Sequence, residues 1–463
     1  MLSHCGSRSQ LEAFGGSAGP ASSGGTGGTG TSPDGGVLPP PEPCVLGIAG
    51  PPVEIMAFQD AQVMAPSMVM VDPGSAASGT PANVALQGFI SGGPSLAHPD
   101  IKLQRLRVGP SWPDDVTVDQ APMAFGVEAH GWGEMAHAPG DTRELALAWY
   151  SDPDMDGYTA FRTLDFDSWA ATAVVEMAPE GRPALALAPG RGIRSDGAGY
   201  GGDGYAIAWR ELIDVGVYDT TTKVGVLDLD REVQVGPVAQ GVPAPYPGYS
   251  PSITWSSETY LIATALPECG PSGDCEPTLT VERLVPDSTA AGGARLELAW
   301  SRTSGMVPDR PSLASWRGRT WVAWMESAAD HPGHPEVYVQ ELDPMGKAVG
   351  GAHQVDDFIR PESRLSLTAS DLGLAIAYAR GGLDVEPDEP GNSRVVVIQL
   401  DHTGNPLAAM PLLIDATSVN DYGPPRTVAL DYPRGLLLTW AGRSFDSGYD
   451  IVAYLGFLPC IDP

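Results

Sequence analysis

The chain predicts an all-β fold, a seven-bladed β-propeller of four-stranded antiparallel blades, and three observations carry that prediction. A short apolar segment recurs seven times at spacings of 54 to 62 residues. Gly and Pro, 57 and 45 of the 463 residues, are too frequent for long helices. Strand-like runs separated by turn residues flank nearly every copy. A repeat of this length is one structural unit, and four antiparallel strands repeated about an axis make a propeller.

The copies are residues 85–89 (ALQGF), 145–149 (LALAW), 205–209 (YAIAW), 260–264 (YLIAT), 320–324 (TWVAW), 374–378 (LAIAY) and 436–440 (LLLTW). The fourth residue is always small: Gly88, Ala148, Ala208, Ala263, Ala323, Ala377 and Thr439. Segments apolar on both faces are strands covered on both sides. The large last residue fills one gap between sheets, and the small residue admits the neighbouring sheet on the other face.

Residues 319–346 show the whole unit. An anchor strand reaches Trp324, an acidic loop follows, a strand runs from Glu336 to Leu342, and a turn closes at residues 343–346. Comparable strands follow the other anchors, from Tyr158, Lys223, Leu279, Arg394 and Ile451, and a further strand precedes most anchors, often after Pro251, Pro311 or Pro425. The anchor is expected second from the axis. After residues 451–455 too little chain remains for a fourth strand in the last blade. Residues 53–58 (VEIMAF) are read as that missing outer strand, closing the ring. This places Cys44 and Cys460 at one seam as an expected disulfide, with Cys269 and Cys275 as a second, local bridge across a short loop. Five reduced thiols are the alternative.

Residues 1–43 carry no core-forming pattern. Residues 15–36 are almost wholly Gly, Ser, Thr, Ala and Pro, which predicts a disordered tether ahead of a propeller spanning 44–463. The opening MLSHCG resembles the end of a bacterial lipoprotein signal, with Cys5 as the lipid acceptor. It departs from that pattern at His4, where a small residue is usual, and in having no charged and apolar segments ahead of it. Tether and repeat together resemble secreted or lipid-anchored bacterial β-propellers. The resemblance implies export, to an outer-membrane-anchored surface, the periplasm or the medium, and it carries no residue-level activity.

Charge narrows the partners. Lys and Arg number 26 against 57 Asp and Glu, a formal charge of −31. That excess repels nucleic acid and anionic membrane and favours cations or basic partners. No apolar run approaches the roughly 18 residues of a membrane helix.

The sharpest motif is Asp152, Asp154 and Asp156 ahead of Gly157 and Tyr158. Alternate carboxylates before a glycine form the first half of an EF-hand-type loop, so three oxygens converge on one hard cation. The loop resembles the calcium-binding blades of integrin-like propellers. Ca²⁺ is the expected cofactor, with the Tyr158 carbonyl as a fourth ligand. Ala160 and Thr163 stand where later ligands would complete the set, and a solvated acidic turn is the alternative.

Equivalent loops are acidic too: Glu268, Asp274 and Glu276; Asp330 and Glu336; Asp384, Glu386, Asp388 and Glu389; Asp446 and Asp450. In a propeller they open on one face, which predicts a negative field there. His331 and His334, with Asp330 and Glu336, are a candidate transition-metal loop. Trp132, Trp169 and Trp255 fall outside the anchors and are candidate exposed aromatics, and Gly201–Gly204 reads as a turn. No Ser-x-Asp-x-Gly-x-Thr-Trp box of sialidase-type propellers is present, and no nucleophile elbow or phosphate loop appears in its strand-to-helix context. The expected function is non-catalytic binding, by a monomer, of a basic protein patch, a cation-bridged ligand or a cell-surface polymer through the acidic face. The alternatives are a secreted carbohydrate-active propeller (glycoside hydrolase or lyase) and a structural cell-envelope protein.

Overall fold

The computed structural model describes residues 44–461 apart from 49, 57–61, 92–99, 119–122, 125–132, 139–142, 152–157, 180, 215–218, 231–232, 240–250, 270–274, 291, 304–305, 329–334, 358–364, 381–392, 417–424 and 444–450. Its strands form seven antiparallel blades about one axis. Blades 2 to 6 are separate four-stranded sheets. Blades 7 and 1 are joined into one sheet by a single parallel pair, Gln62 with Ile451.

Blade 5 shows why the sequence folds this way. Its strands, from the axis outward, are Met306–Trp316, Arg319–Ala328, Glu336–Leu342 and Ala348–Asp356. The first hairpin turns on Arg317 and Gly318, both at positive φ (48° and 76°), which suits the right-handed strand twist. The outer turn is tied by Asp343, whose Oδ1 accepts from the amides of Met345 and Lys347, both at 2.9 Å. The anchor is the second strand, as its pattern predicts. Val322 and Trp324 pack against Leu261, Ala263 and Val281 of blade 4, while Ala323 packs toward Leu367 and Tyr378 of blade 6. Each seam between neighbouring blades holds its own apolar core.

Blade 1 departs from the expected alignment by one residue. Leu86 faces blade 7 and Ala85 faces blade 2. Gln87 pairs with Ser67 as Ala323 pairs with Ser312. Gly88, not Phe89, therefore occupies the position of the large residue, and a one-residue slip exchanges the faces. The space is filled from elsewhere: a Cβ on Gly88 would lie 2.7 Å from Met56 Sδ and 2.8 Å from Val63 Cγ1. Gln87 takes the small residue's place, with Gly133 opposite, where a Cβ would sit 2.6 Å from Gln87 Nε2.

Gly201–Gly204 is not a turn. It lies inside the second strand of blade 3, Tyr200–Asp214, and the turn precedes it around Gly197. A Cβ on Gly204 would come within 2.4 Å of the Leu227 carbonyl oxygen, so glycine serves close backbone approach.

The ring closes as expected. Val53–Met56 adds to blade 7 beside the final strand Ile451–Ile461, with Val53 opposite Leu455; residues 57–58 of the expected strand lie outside the described residues. The final strand runs further than residue 455, paired with the second strand of blade 7 as far as Pro459, and a second N-terminal segment, Val45–Leu46, pairs with its end. Cys44 and Cys460 form a disulfide there, Cα atoms 5.5 Å apart.

Candidate functional site

Within a blade the inner strand begins where the second strand ends. The long connections from second to third strands therefore start and finish on one face, and the tight hairpin turns lie on the other. Those seven connections contain eleven Asp and Glu and no Lys or Arg. Asp152, Asp154 and Asp156 fall on one of them and lie outside the described residues, as do Asp274, Asp330, His331, His334, Asp384, Glu386, Asp388, Glu389, Asp446, Asp450 and Cys5. Tyr158 is the first residue of its strand, directly opposite Ser151, so the ends of the triple-aspartate loop are adjacent. Cys269 and Cys275 are direct cross-strand partners in backbone register. Among the described residues no group of three or more His, Cys, Asp or Glu is placed to hold a metal ion.

Glu336, one of the carboxylates of the candidate metal loop, accepts a 2.5 Å bond from the Tyr338 hydroxyl. Burial, with that bond and the charge of Glu336, pushes the Tyr338 phenol up to about 12. Glu326, directly opposite Glu336, is fully buried. It takes two bonds from the Arg302 guanidinium, 2.8 and 3.2 Å, and one from the Trp324 indole, 2.7 Å. Arg302 also lies over the Trp324 and Tyr338 rings. This cluster fastens blade 4 to blade 5.

Two of the three candidate exposed aromatics are buried. Trp169 lies under the Arg105 guanidinium, 4.8 Å from ring centre, and Trp255 is edge-on to Tyr200 and Tyr260 at 4.7 Å. They lie off the anchor pattern because each packs at the tight-turn side of a seam between blades. Trp132 lies outside the described residues.

On the axis the inner strands line a half-open pocket of about 180 Å³. Its walls include Met68 and Met70 of blade 1, Met135 and His137 of blade 2, Leu187 of blade 3 and Leu367 of blade 6. Among the described residues no carboxylate lines it. At its loop-face end, one inner-strand position in each blade pairs with the small anchor residue, or in blade 1 with Gln87 in its place: Ser67, Glu134, Ala186, Ser252, Ser312, Ser366 and Arg426. From blade 4 to blade 7 the serines stitch neighbours together. Ser252 accepts from the Leu313 amide (2.9 Å), Ser312 accepts from the Leu367 amide (3.0 Å), and Ser366 donates to the Pro425 carbonyl (2.5 Å). Across blade 1, Arg426 instead reaches the Glu134 carboxylate of blade 2 in an ion pair. In five of the seven the sequence signal is a Pro or Gly just before the residue: Pro66, Gly133, Pro251, Pro311 and Pro425.

No family model matches the sequence, and no curated protein matches it. Solved structures share the propeller fold at low identity. The β-propeller domain of the Trilobed protease from Pyrococcus furiosus is 9% identical with a TM-score of 0.42, covering 88% of this chain and 97% of that one. The hemagglutinin-neuraminidase ectodomain of parainfluenza virus 5 is 7% identical with a TM-score of 0.40, covering 80% and 85%. A sialidase of Trypanosoma rangeli is 10% identical with a TM-score of 0.39, covering 74% and 55%. These likenesses concern the fold alone.

Proposed function

We propose that the protein is a binding propeller that presents an acidic face to a basic protein patch or a cation-bridged ligand. The supporting observation is topological: every connection between second and third strands begins and ends on one face, and together they hold eleven carboxylates and no fixed positive charge. A field of one sign raises the local concentration of cations and speeds encounter with basic surfaces. Ca²⁺ held by Asp152, Asp154, Asp156 and the Tyr158 carbonyl is part of the same proposal, at the roughly 10⁻⁴–10⁻³ M affinity of extracellular modules. So is export, with lipid on Cys5, which an oxidised Cys44–Cys460 pair suits.

Calorimetric titration with Ca²⁺ and with octalysine tests the reading. Ca²⁺ should raise the melting temperature of the unmodified protein and not of Asp154→Ala. Octalysine should bind at low salt and weaken steeply at high salt. Replacing Asp384, Glu386, Asp388 and Glu389 by their amides should weaken it further. Octalysine binding that ignores both salt and these substitutions refutes the acidic-face reading, and an equal thermal shift in Asp154→Ala refutes the calcium site.

A further inference from the structure

We infer that the seam between blades 6 and 7 is a docking groove for the N-terminal strap of a second copy of this chain, opened when a thiol reductant breaks the Cys44–Cys460 bridge. This surface lies at the tight-turn end of the final strand, away from the acidic loops, and works without them.

The groove is defined by the occupant it already holds, the extended strap of residues 44–47. Gln399 of blade 6 grips the strap's main chain. Its Oε1 accepts from the Leu46 amide at 2.9 Å, and its Nε2 donates to the carbonyls of Cys44 (2.7 Å) and Leu372 (2.9 Å). On the blade 7 side the Gly47 amide donates to the Pro459 carbonyl at 2.9 Å, and Val45 and Leu46 stand opposite Ile461 and Cys460. Leu46 is 3% exposed, in one core with Leu372 and Ile414 of blade 6 and Leu436 and Leu458 of blade 7. Main-chain bonds for affinity and a side-chain slot for specificity are how an added strand is recognised.

The strap is built to leave. Both cysteines are half-buried, within reach of a small thiol, and accessible bridges are the ones that exchange opens. The reductant's two thiols become a disulfide while Cys44 and Cys460 become thiols. Residues 47–52 join the strap to the Val53–Met56 strand, and six residues span at most about 20 Å. The strap therefore swings out while Val53–Met56 keeps the ring closed.

A second copy is the occupant because the slot is shaped to this chain's own segment and the strap turns apolar side chains outward. Val45, Ile48 and Ile461 are 39%, 52% and 52% exposed, three of the ten large exposed apolar residues among those described. Exchange brings these residues of two copies together, and each groove takes the other's strap, a two-fold arrangement with no open end. Reclosure within one chain competes at an effective concentration of roughly millimolar, so the exchanged pair belongs to concentrated protein.

The test uses full chains carrying Cys5→Ser, Cys269→Ser and Cys275→Ser, at high salt to screen the charge of −31 on each copy. A donor copy with Cys460→Ser keeps Cys44. A groove copy with Cys44→Ser keeps Cys460, activated as its mixed disulfide with thionitrobenzoate. On mixing, the donor's Cys44 thiolate attacks the activated Cys460 sulfur, the Cys44–Cys460 bond forms, and thionitrobenzoate leaves. A bridged pair of twice the chain mass is expected, its bond mapped by peptide mass spectrometry. Its rate is read against the reaction of the same groove copy with glutathione. Leu46→Asp in the donor, or Gln399→Leu in the groove copy, should slow pairing at least about tenfold. Leu46→Asp in the groove copy should instead speed it by about the same factor, because the competing strap is evicted. Each copy's melting transition reports that it is folded, and the Leu46 variants suffice if Gln399→Leu does not fold. Pairing at one rate whatever the Leu46 substitutions, or no bridged pair from folded copies, overturns the inference.

Discussion

Removing the Cys44–Cys460 bridge is the most direct test of how the ring is held. The two residues are 416 positions apart, and the chain-entropy relation for a loop of that length gives about 6 kcal/mol at 25 °C. That figure is a ceiling, because Val45–Leu46 and Val53–Met56 still pair with the final strand after the sulfurs part, and measured bridges deliver about 2–5 kcal/mol. Unfolding entropy of about 2.1 cal/mol/K per residue over a ring of roughly 420 residues is about 0.9 kcal/mol/K. Cys460→Ser should therefore lower the melting temperature by about 2–6 °C, read by differential scanning calorimetry without reductant. Reduction of a protein carrying Cys269→Ser and Cys275→Ser should reproduce the same shift. A shift under 1 °C in both would mean that strand pairing alone closes the ring and that the entropic argument fails here.

Other outcomes follow from the same structure. Ala323→Leu should cost about 1–3 kcal/mol by overfilling the seam between blades 5 and 6, visible as a lower urea midpoint with unchanged slope; an unchanged midpoint would show that seam to be loose. Glu326→Ala should cost about 3–5 kcal/mol, because it strands the Arg302 guanidinium and the Trp324 indole, and a double-mutant cycle with Arg302→Met should show strong coupling; additive effects would contradict the cluster. His402 is buried against Trp316, ring centres 4.1 Å apart, and its Nε2 meets the Ser370 carbonyl at 2.8 Å. Burial lowers its pKa, with Arg319 adding to that effect, against the Ser370 bond and the charges of Asp371 and Asp401. On acidification the unfolded chain takes up this proton first, so its contribution is full above about pH 6.5 and is lost as the pH falls toward and through the depressed folded value. His402→Gln should flatten that limb of a melting-temperature profile, and an identical profile in the variant would assign the limb to other groups.

The blades were legible because each seam demands one large and one small residue at a fixed distance, and that demand is met locally in Leu147-Ala148-Trp149 or Val322-Ala323-Trp324. Blade 1 misled by one position for a physical reason. Met56 and Val63, distant in sequence from any anchor, fill the volume a tryptophan fills elsewhere, so the local pattern no longer reports the packing. The closing strand and the Cys44–Cys460 pair were legible by subtraction, since the last repeat lacks a strand. The Arg426–Glu134 contact was not, because its partners are 292 residues apart and each looks like an ordinary strand start. Trp169 and Trp255 were misjudged because a tight turn with an aromatic reads as exposed until its neighbouring blade is known.

The serine stitching gives the ring two unlike arcs. From blade 4 to blade 7 the inner amides of Leu313 and Leu367 are held by hydroxyls of the blade before, so those blades share their innermost bonds and should breathe together. Around blade 1 the corresponding tie is an ion pair between side chains, which water and salt can loosen without disturbing any backbone. Amide hydrogen exchange should therefore divide the axis like a clasp bracelet. Protection at Leu313 and Leu367 should persist at salt concentrations that hasten exchange near Met135 and Thr427, and reversible opening should begin beside the clasp, leaving the four-blade arc as the last part to lose its shape.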